Sequence, residues 1–176
     1  SLGVCNGCQL MALLGWVPFR GLSDKSQPRF IHNVSGRYES RFSVVQITES
    51  PAIMLKGMEG SVLGVWVAHG EGRAYFNDPS ILDTVEKEKL APIRYVNDEL
   101  QATQEYPFNP NGAVNAIASL CSRDGRHLAM MPHPERSVLG WQWPYYPANA
   151  AKDRAQVTPW IKMFQNAREF CDKNSK

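Results

Sequence analysis

Several shortages bound this sequence before any motif is read. Only four of its 176 residues are cysteine, Cys5, Cys8, Cys121 and Cys171. That is too sparse for a small disulfide-stapled scaffold, and a chain this long buries enough surface to fold without staples or a structural metal. An excess of one charge is missing too. Lys and Arg number 19 and Asp and Glu 17, a net +2 spread along the chain, so there is no electrostatic footprint for nucleic acid or a membrane surface. The longest mostly apolar stretch, Leu10 to Phe19, is too short to span a bilayer and contains Gly15 and Pro18. No basic-then-apolar signal segment is visible. There is no G-x-x-x-x-G-K-[ST]; Gly57-Met58-Glu59-Gly60-Ser61 lacks the lysine and the spacing, and no G-x-G-x-x-G follows a strand. The chain thus shows no nucleotide site of its own. Internal repeats, low-complexity tracts and coiled-coil heptads are also lacking. What remains is an ordinary globular composition, 43% apolar and 20% charged, expected in the cytoplasm with reduced thiols. Asn33-Val34-Ser35 fits a glycosylation triplet, a pattern common by chance. One feature is odd: Ser1 opens the chain inside what reads as a buried strand, which gives the expectation that part of a larger protein precedes it.

The pattern along the chain mixes strands and helices and predicts an α/β or α+β domain. Ser1 to Val4 reads as a strand end, Cys5-Asn6-Gly7 as a tight turn, and Cys8 to Leu14 as a short helix stopped by Gly15. Leu22 to Pro28 is a polar loop, and Arg37 to Thr48 one strand or two. Ser50-Pro51 opens a short helix to Lys56, and Ser61 to Ala68 is a strongly apolar strand. His69-Gly70-Glu71-Gly72 is a glycine-rich loop before a strand at Arg73 to Phe76. Asp78-Pro79 caps a helix running to about Leu90, and Ile93 to Val96 is a strand. Ala116 to Ser122 and His127 to Met131 form a hairpin about Asp124-Gly125. Tyr106 to Gly112 is a loop, and an aromatic, proline-rich loop fills Gly140 to Val157. Thr158-Pro159 caps a last helix with Trp160, Phe164, Ala167 and Cys171 on its apolar face and Ile161 alongside.

Two motifs carry chemistry. Gly3-Val4-Cys5-Asn6-Gly7, between strand and helix, is the cysteine form of the nucleophile elbow. The turn is sharp, so a side chain at Gly3 or Gly7 is expected to collide with its neighbours. A sulfur at a helix N-terminus gains from the dipole as thiolate, and free N–H groups there can hold an oxyanion. The second motif is Met131-Pro132-His133-Pro134-Glu135-Arg136. In extended chain, His133 and Glu135 point the same way, so the carboxylate can orient the imidazole, and the flanking prolines are expected to prevent helix. With Cys5 they complete a Cys-His-Glu set. Alternatives stand beside this reading. Cys5-Asn6-Gly7-Cys8 is also a C-x-x-C, open to a thiol–disulfide oxidoreductase or half a zinc site, although Cys121 and Cys171 supply no second ligand pair. The loop from His69 to Gly72 has glycines that permit close approach of backbone to a ligand, or make a plain turn. Asn109-Pro110-Asn111-Gly112 reads as a turn and specifies no chemistry.

Taken together, GVCNGCQ and MPHPER resemble the class I (triad) glutamine amidotransferases. With the stretch from Asn33 through SGRYESR, HGEGR and YPFNPNG, the resemblance narrows to the phosphoribosylformylglycinamidine synthase family and runs in order along nearly the whole chain. It implies a flavodoxin-like α/β sheet flanked by helices. Residues 1–176 would be a partial glutaminase domain, the C-terminal piece of a multidomain synthase. Cys5 would attack the glutamine amide and form a thioester, His133 would act as base and acid, and Glu135 would orient it. The Asn6 N–H would serve the oxyanion, and Gln9, Asn33 and His69 would lie at the glutamine. No cofactor is implied in this chain. ATP and magnesium would serve a separate synthetase domain of the same protein, which would receive the ammonia. In similar proteins several strands and a glycine-rich loop with the second oxyanion N–H precede the elbow, so these residues alone are expected to be inactive. The loop from Trp141 to Tyr146 is expected at an interface with the synthetase domain. Another triad hydrolase, such as a γ-glutamyl hydrolase or peptidase, and a non-catalytic interaction domain are the remaining alternatives.

Overall fold

The computed structural model describes residues 1–145 and 156–174. Three patches of sheet meet around one core. In the first, β1 (Leu2–Val4) runs parallel to β8 (Leu128–Met130), which pairs antiparallel with β7 (Ser119–Cys121). β7 and β8 are the hairpin expected about Asp124-Gly125. Gly125 turns it at φ 68°, and a Cβ there would run into the Pro51 carbonyl, so this turn also seats the segment after Pro51. In the second patch β3 (Glu39–Ile47) is central, with β4 (Val62–His69) and β6 (Ile93–Tyr95) antiparallel on either side. The third is a two-stranded ribbon of β2 (Arg29–Ile31) and β5 (Arg73–Tyr75). Single bridges stitch the first two patches together, Arg94 with Ile117 and Trp66 with His133.

The first helix, α1 (Asn6–Leu13), follows β1 directly. Gly15, at φ 68°, ends it; Gly15 N–H reaches Ala12 O and Trp16 N–H reaches Met11 O, closing the orphan carbonyls. In α2 (Pro79–Lys87), Asp78 Oδ1 accepts from Ser80 N–H at 3.0 Å and Pro79 takes the first turn. The last helix is α3 (Ile161–Asn174). Its buried stripe is Met163 and Asn166, continued by the fully buried Trp160, while Cys171 is exposed, a correction to the apolar face read from sequence. Asn166 is buried because Nδ2 donates to Met54 O and Lys56 O, which fastens α3 to the segment after Pro51. That segment is only a 3-10 turn, Ile53–Leu55, not the helix expected to reach Lys56. The core itself is drawn from all three patches, with Val45, Ile47, Val65, Val67, Ile93, Leu120, Leu128 and Met130 buried between sheet and helices.

Candidate active site

β1 and β8 set the positions of the two chemical motifs. They are parallel neighbours, Val4 opposite Met130, so the residues leaving their C-terminal ends emerge side by side. Cys5 N–H still bonds to Met130 O at 2.9 Å. The chain then turns into α1 with Cys5 at φ 52° and ψ −106°. A non-glycine residue there is strained by about 1–3 kcal/mol, as at a nucleophile elbow. The glycines around it are not equivalent. A Cβ on Gly3 would lie 2.5 Å from Gly7 O and 2.8 Å from Met11 Sδ, whereas one on Gly7 would meet nothing within 4 Å. The collision expected at Gly7 is therefore absent, and Gly3 alone is sterically required. Asn6 is the first residue of α1, a position whose N–H has no partner inside the helix.

The His133 motif departs from its expected geometry. It is not extended: Pro134–Arg136 is a 3-10 turn, with Arg136 N–H on His133 O at 3.2 Å. Proline suits the first turn of such a helix because its missing N–H would have no partner there. The pair forms nonetheless, His133 Nδ1 to Glu135 Oε1 at 2.6 Å. His133 is buried, and its N–H donates to Trp66 O of β4 at 2.8 Å. Trp66 in turn donates its indole N–H to Gln142 O at 2.7 Å, and Trp143 donates its own to Ser137 O at 2.9 Å. Trp66 and Trp143 both pack edge-on or steeply tilted against Phe42, with ring centroids 5.2 and 5.5 Å away. Trp143 thus packs on this domain's own core. Trp141 and Tyr145 are exposed, and Tyr146 lies outside the described residues.

Cys5 and His133 meet across this junction. The Cys5 thiol lies 3.6 Å from Ala68 O of β4, the acceptor of a long hydrogen bond. His133 Nε2 is buried with no hydrogen bond of ordinary geometry. Interaction with Cys5, then with Glu135, outweighs burial and pushes the imidazole pKa up to about 9. Glu135 is held below the usual carboxylate range; burial works against this, and the hydrogen bond and charge of His133 prevail.

Gln9 lies one turn into α1, its N–H on Cys5 O at 3.1 Å and its Nε2 on Glu71 Oε2 at 3.0 Å. The other two residues expected at a ligand, Asn33 and His69, are tied into the protein's own backbone. Asn33 is buried and its amide is used up: Nδ2 donates to Arg37 O and His69 O, and Oδ1 accepts from Gly72 N–H. His69 is buried as well, and burial, then the nearby His133, pulls its pKa down to about 4. The Gly72 backbone passes so close to the His69 ring that a Cβ there would overlap it. At Gly72 the close approach is to the His69 ring.

Sequence reasoning gave Asn109 and Asn111 no task. Asn109 Oδ1 accepts from Gly112 N–H and Ala113 N–H, and Asn111 Nδ2 donates to Gly72 O at 2.8 Å. Both are nearly sealed from solvent. Their asparagine-rich loop is the floor under His69 to Gly72. Only an asparagine side chain repeated among turn residues hinted at this.

The alternatives fare unequally. Cys5 and Cys8 are not joined by a disulfide, and burial, then Cys5, pushes the Cys8 thiol well above its usual range. Among the described residues no group of three or more His, Cys, Asp and Glu could hold a metal ion. No helix among them is long and apolar enough to cross a membrane.

A family profile described as the CobB/CobQ-like glutamine amidotransferase domain matches residues 1–171. This chain belongs to that family. Within it, this amidotransferase domain is 62% identical over 175 residues to a phosphoribosylformylglycinamidine synthase of Dictyostelium discoideum, covering 98% of this chain and 13% of that protein. It is 61% identical to a probable phosphoribosylformylglycinamidine synthase, chloroplastic/mitochondrial, of Arabidopsis thaliana, covering 98% and 12%. The human phosphoribosylformylglycinamidine synthase is 48% identical, with 97% and 13% covered. The domain thus spans about an eighth of the length of these relatives. In three dimensions it is similar to a chain in the structure of PurLQS from Thermotoga maritima, with a TM-score of 0.61 and 20% identity over 96% of this chain and 60% of the other. That likeness supports the mixed α/β class.

Proposed function

We propose that this amidotransferase domain is the glutaminase part of a phosphoribosylformylglycinamidine synthase. The observation that carries the reading is the convergence at the ends of β1 and β8. There a strained cysteine at the start of α1 faces a buried imidazole already paired to a carboxylate at 2.6 Å.

The reaction follows from those groups. His133, its pKa raised to about 9, already carries a proton at neutral pH, so loss of the Cys5 thiol proton to solvent leaves a thiolate beside an imidazolium that Glu135 stabilises. Cys5 Sγ attacks the side-chain amide carbon of glutamine, and the Asn6 N–H holds the oxyanion that forms on the amide oxygen. His133 gives its proton to the amide nitrogen, the C–N bond breaks, and ammonia leaves a glutamyl thioester. His133 then takes a proton from water, the hydroxide attacks the thioester, the C–S bond breaks, and glutamate departs as Sγ is reprotonated. Ammonia passes to a synthetase domain, where ATP and magnesium drive conversion of formylglycinamide ribonucleotide to the amidine. The high identity to synthases of three organisms supports that destination.

Cys5→Ala in the full-length protein tests this. Glutamine-dependent synthesis is expected to disappear while synthesis from added ammonium salt persists. Glutamine-dependent turnover surviving in the variant overturns the proposal.

A further inference from the structure

Four arginines among the described residues are half-buried: Arg29, Arg41, Arg73 and Arg94. Three of them use their guanidinium groups inside the domain. Arg29 donates to the Asp24, Gln27 and Pro28 carbonyls, Arg41 to Glu39 and the Tyr106 hydroxyl, and Arg94 to both carboxylate oxygens of Glu86. Arg73 differs. Its Nε is buried without a hydrogen bond, and its side chain forms no hydrogen bond or ion pair among the described residues. A guanidinium cannot shed its charge, so partial burial without a partner costs free energy that an incoming anion recovers.

This cation sits in a fixed place on an outward face. In β5 Ala74 is buried while Arg73 and Tyr75 point the other way, with Ile31 and Arg29 opposite them on β2. The Arg73 stem crosses Gly112 beside Val34; a Cβ on Gly112 would lie 3.9 Å from Arg73 Cδ and 2.4 Å from Val34 Cγ2. The residue before Arg73 is pinned on both sides, Gly72 N–H on Asn33 Oδ1 at 3.0 Å and Gly72 O on Asn111 Nδ2 at 2.8 Å. Val34 and Tyr75 are exposed. A preorganised arginine rimmed by tyrosine and aliphatic surface has the composition of an interface anchor, and its planar fork suits a carboxylate. One occupant fits the place. This domain spans 12 or 13% of the length of its relatives, and ammonia has to cross from Cys5 to the synthetase domain. Arg73 directly follows the loop that starts beside Ala68, whose carbonyl faces the Cys5 thiol. A domain seated on the ribbon therefore bears on the loop next to the reaction centre.

We propose that Arg73 is a docking anchor: it receives a carboxylate side chain of the synthetase domain of the same protein, which seats on the outer face of the β2–β5 ribbon. This rests on the glutaminase reading above. The test compares the full-length protein with its Arg73→Gln and Arg73→Lys variants. Three rates are measured: ammonia release from glutamine, amidine formed from glutamine, and amidine formed from ammonium salt. Arg73→Gln is expected to keep the parent's KM for glutamine and its ammonium-dependent synthesis, while amidine formed per glutamine hydrolysed falls about threefold or more. Arg73→Lys keeps the charge without the fork and is expected to recover at least about half of the parent's coupling. A raised KM for glutamine in Arg73→Gln would place the guanidinium at the substrate and overturns the proposal. So does coupling equal to the parent's with a changed mass in light scattering, which would put a second copy of the chain on the ribbon. Unchanged coupling alone, or a lysine variant no better than the glutamine one, overturns it as well. Failure of the glutaminase reading shows differently, as no Cys5-dependent ammonia release by the parent protein.

Discussion

The two histidines of the site differ in charge because of what surrounds them. His133 lies between Cys5 and Glu135, and its pKa rises to about 9; His69 is walled in by backbone beside His133, and its pKa falls to about 4. Imidazole nitrogen shifts followed by NMR through a pH series should show His133 still protonated at about pH 8 and His69 neutral at about pH 5.5, against an ordinary value near 6.5. Linkage gives each a sign. His133 binds more protons folded than unfolded, so its stabilisation is complete below about 6.5 and is lost as pH rises toward about 9. His69 binds fewer when folded, so the protein loses stability as pH falls from about 6.5 toward about 4. A His133→Ala variant should flatten the alkaline limb of a Tm-against-pH curve and leave the acid limb. At Gly3, an added methyl would meet the Gly7 carbonyl, backbone that has no room to yield. Gly3→Ala should cost about 1–3 kcal/mol in urea unfolding and sharply lower turnover, because relief of the clash displaces Cys5.

At the scale of elements, the site is a set of strand ends and the loops that follow them. β1 and β8 deliver Cys5 and His133 by pairing in parallel, and β4 delivers both the Ala68 carbonyl and the Trp66 bridge to His133. The loop after β4 is held by Asn33 and Asn111, whose amides answer both backbone groups of Gly72, while Asn109 ties together the loop that carries Asn111. Asn111→Ala leaves Gly72 O without its side-chain donor and leaves the Ala113 N–H with Asn109 Oδ1 as its one side-chain acceptor. It should cost about 1–3 kcal/mol in urea unfolding and raise the KM for glutamine through a misplaced loop, with Cys5 still reactive toward a glutamine-like electrophile. A variant of full stability would show that the loop holds itself. These long-range bonds explain the part of the site that sequence did not reveal. β2 is three residues, Arg29 to Ile31, too short for any periodicity, and it exists because β5 pairs with it. Asn33 and Asn111 read as ordinary turn residues because the Gly72 backbone groups they satisfy lie 39 positions away.

For the whole molecule, α3 is the clasp. Trp160 is wholly buried and donates its indole N–H to Gly64 O at 2.8 Å, and Asn166 holds the turn after Pro51. Trp160→Ala should cost about 3–5 kcal/mol, seen as a fall in Tm, because it opens a cavity and strips a buried carbonyl together. The sequence by itself determined what depends on local chemistry. The elbow glycine Gly3, the helix start after Cys5, the tight hairpin at Asp124-Gly125 and the candidacy of Cys5, His133 and Glu135 follow from residue type and near neighbours. Tertiary structure alone decided what depends on partners far along the chain. It showed that His133 and Glu135 meet through a 3-10 turn, that Gly72 makes room for His69 while Gly7 needs none, and that Asn33 serves the loop with its whole amide. The physical reason is that a turn or a helix start is fixed by steric limits within a few residues. The protonation of an imidazole and the duty of a buried amide are fixed by whatever distant backbone the fold brings against them.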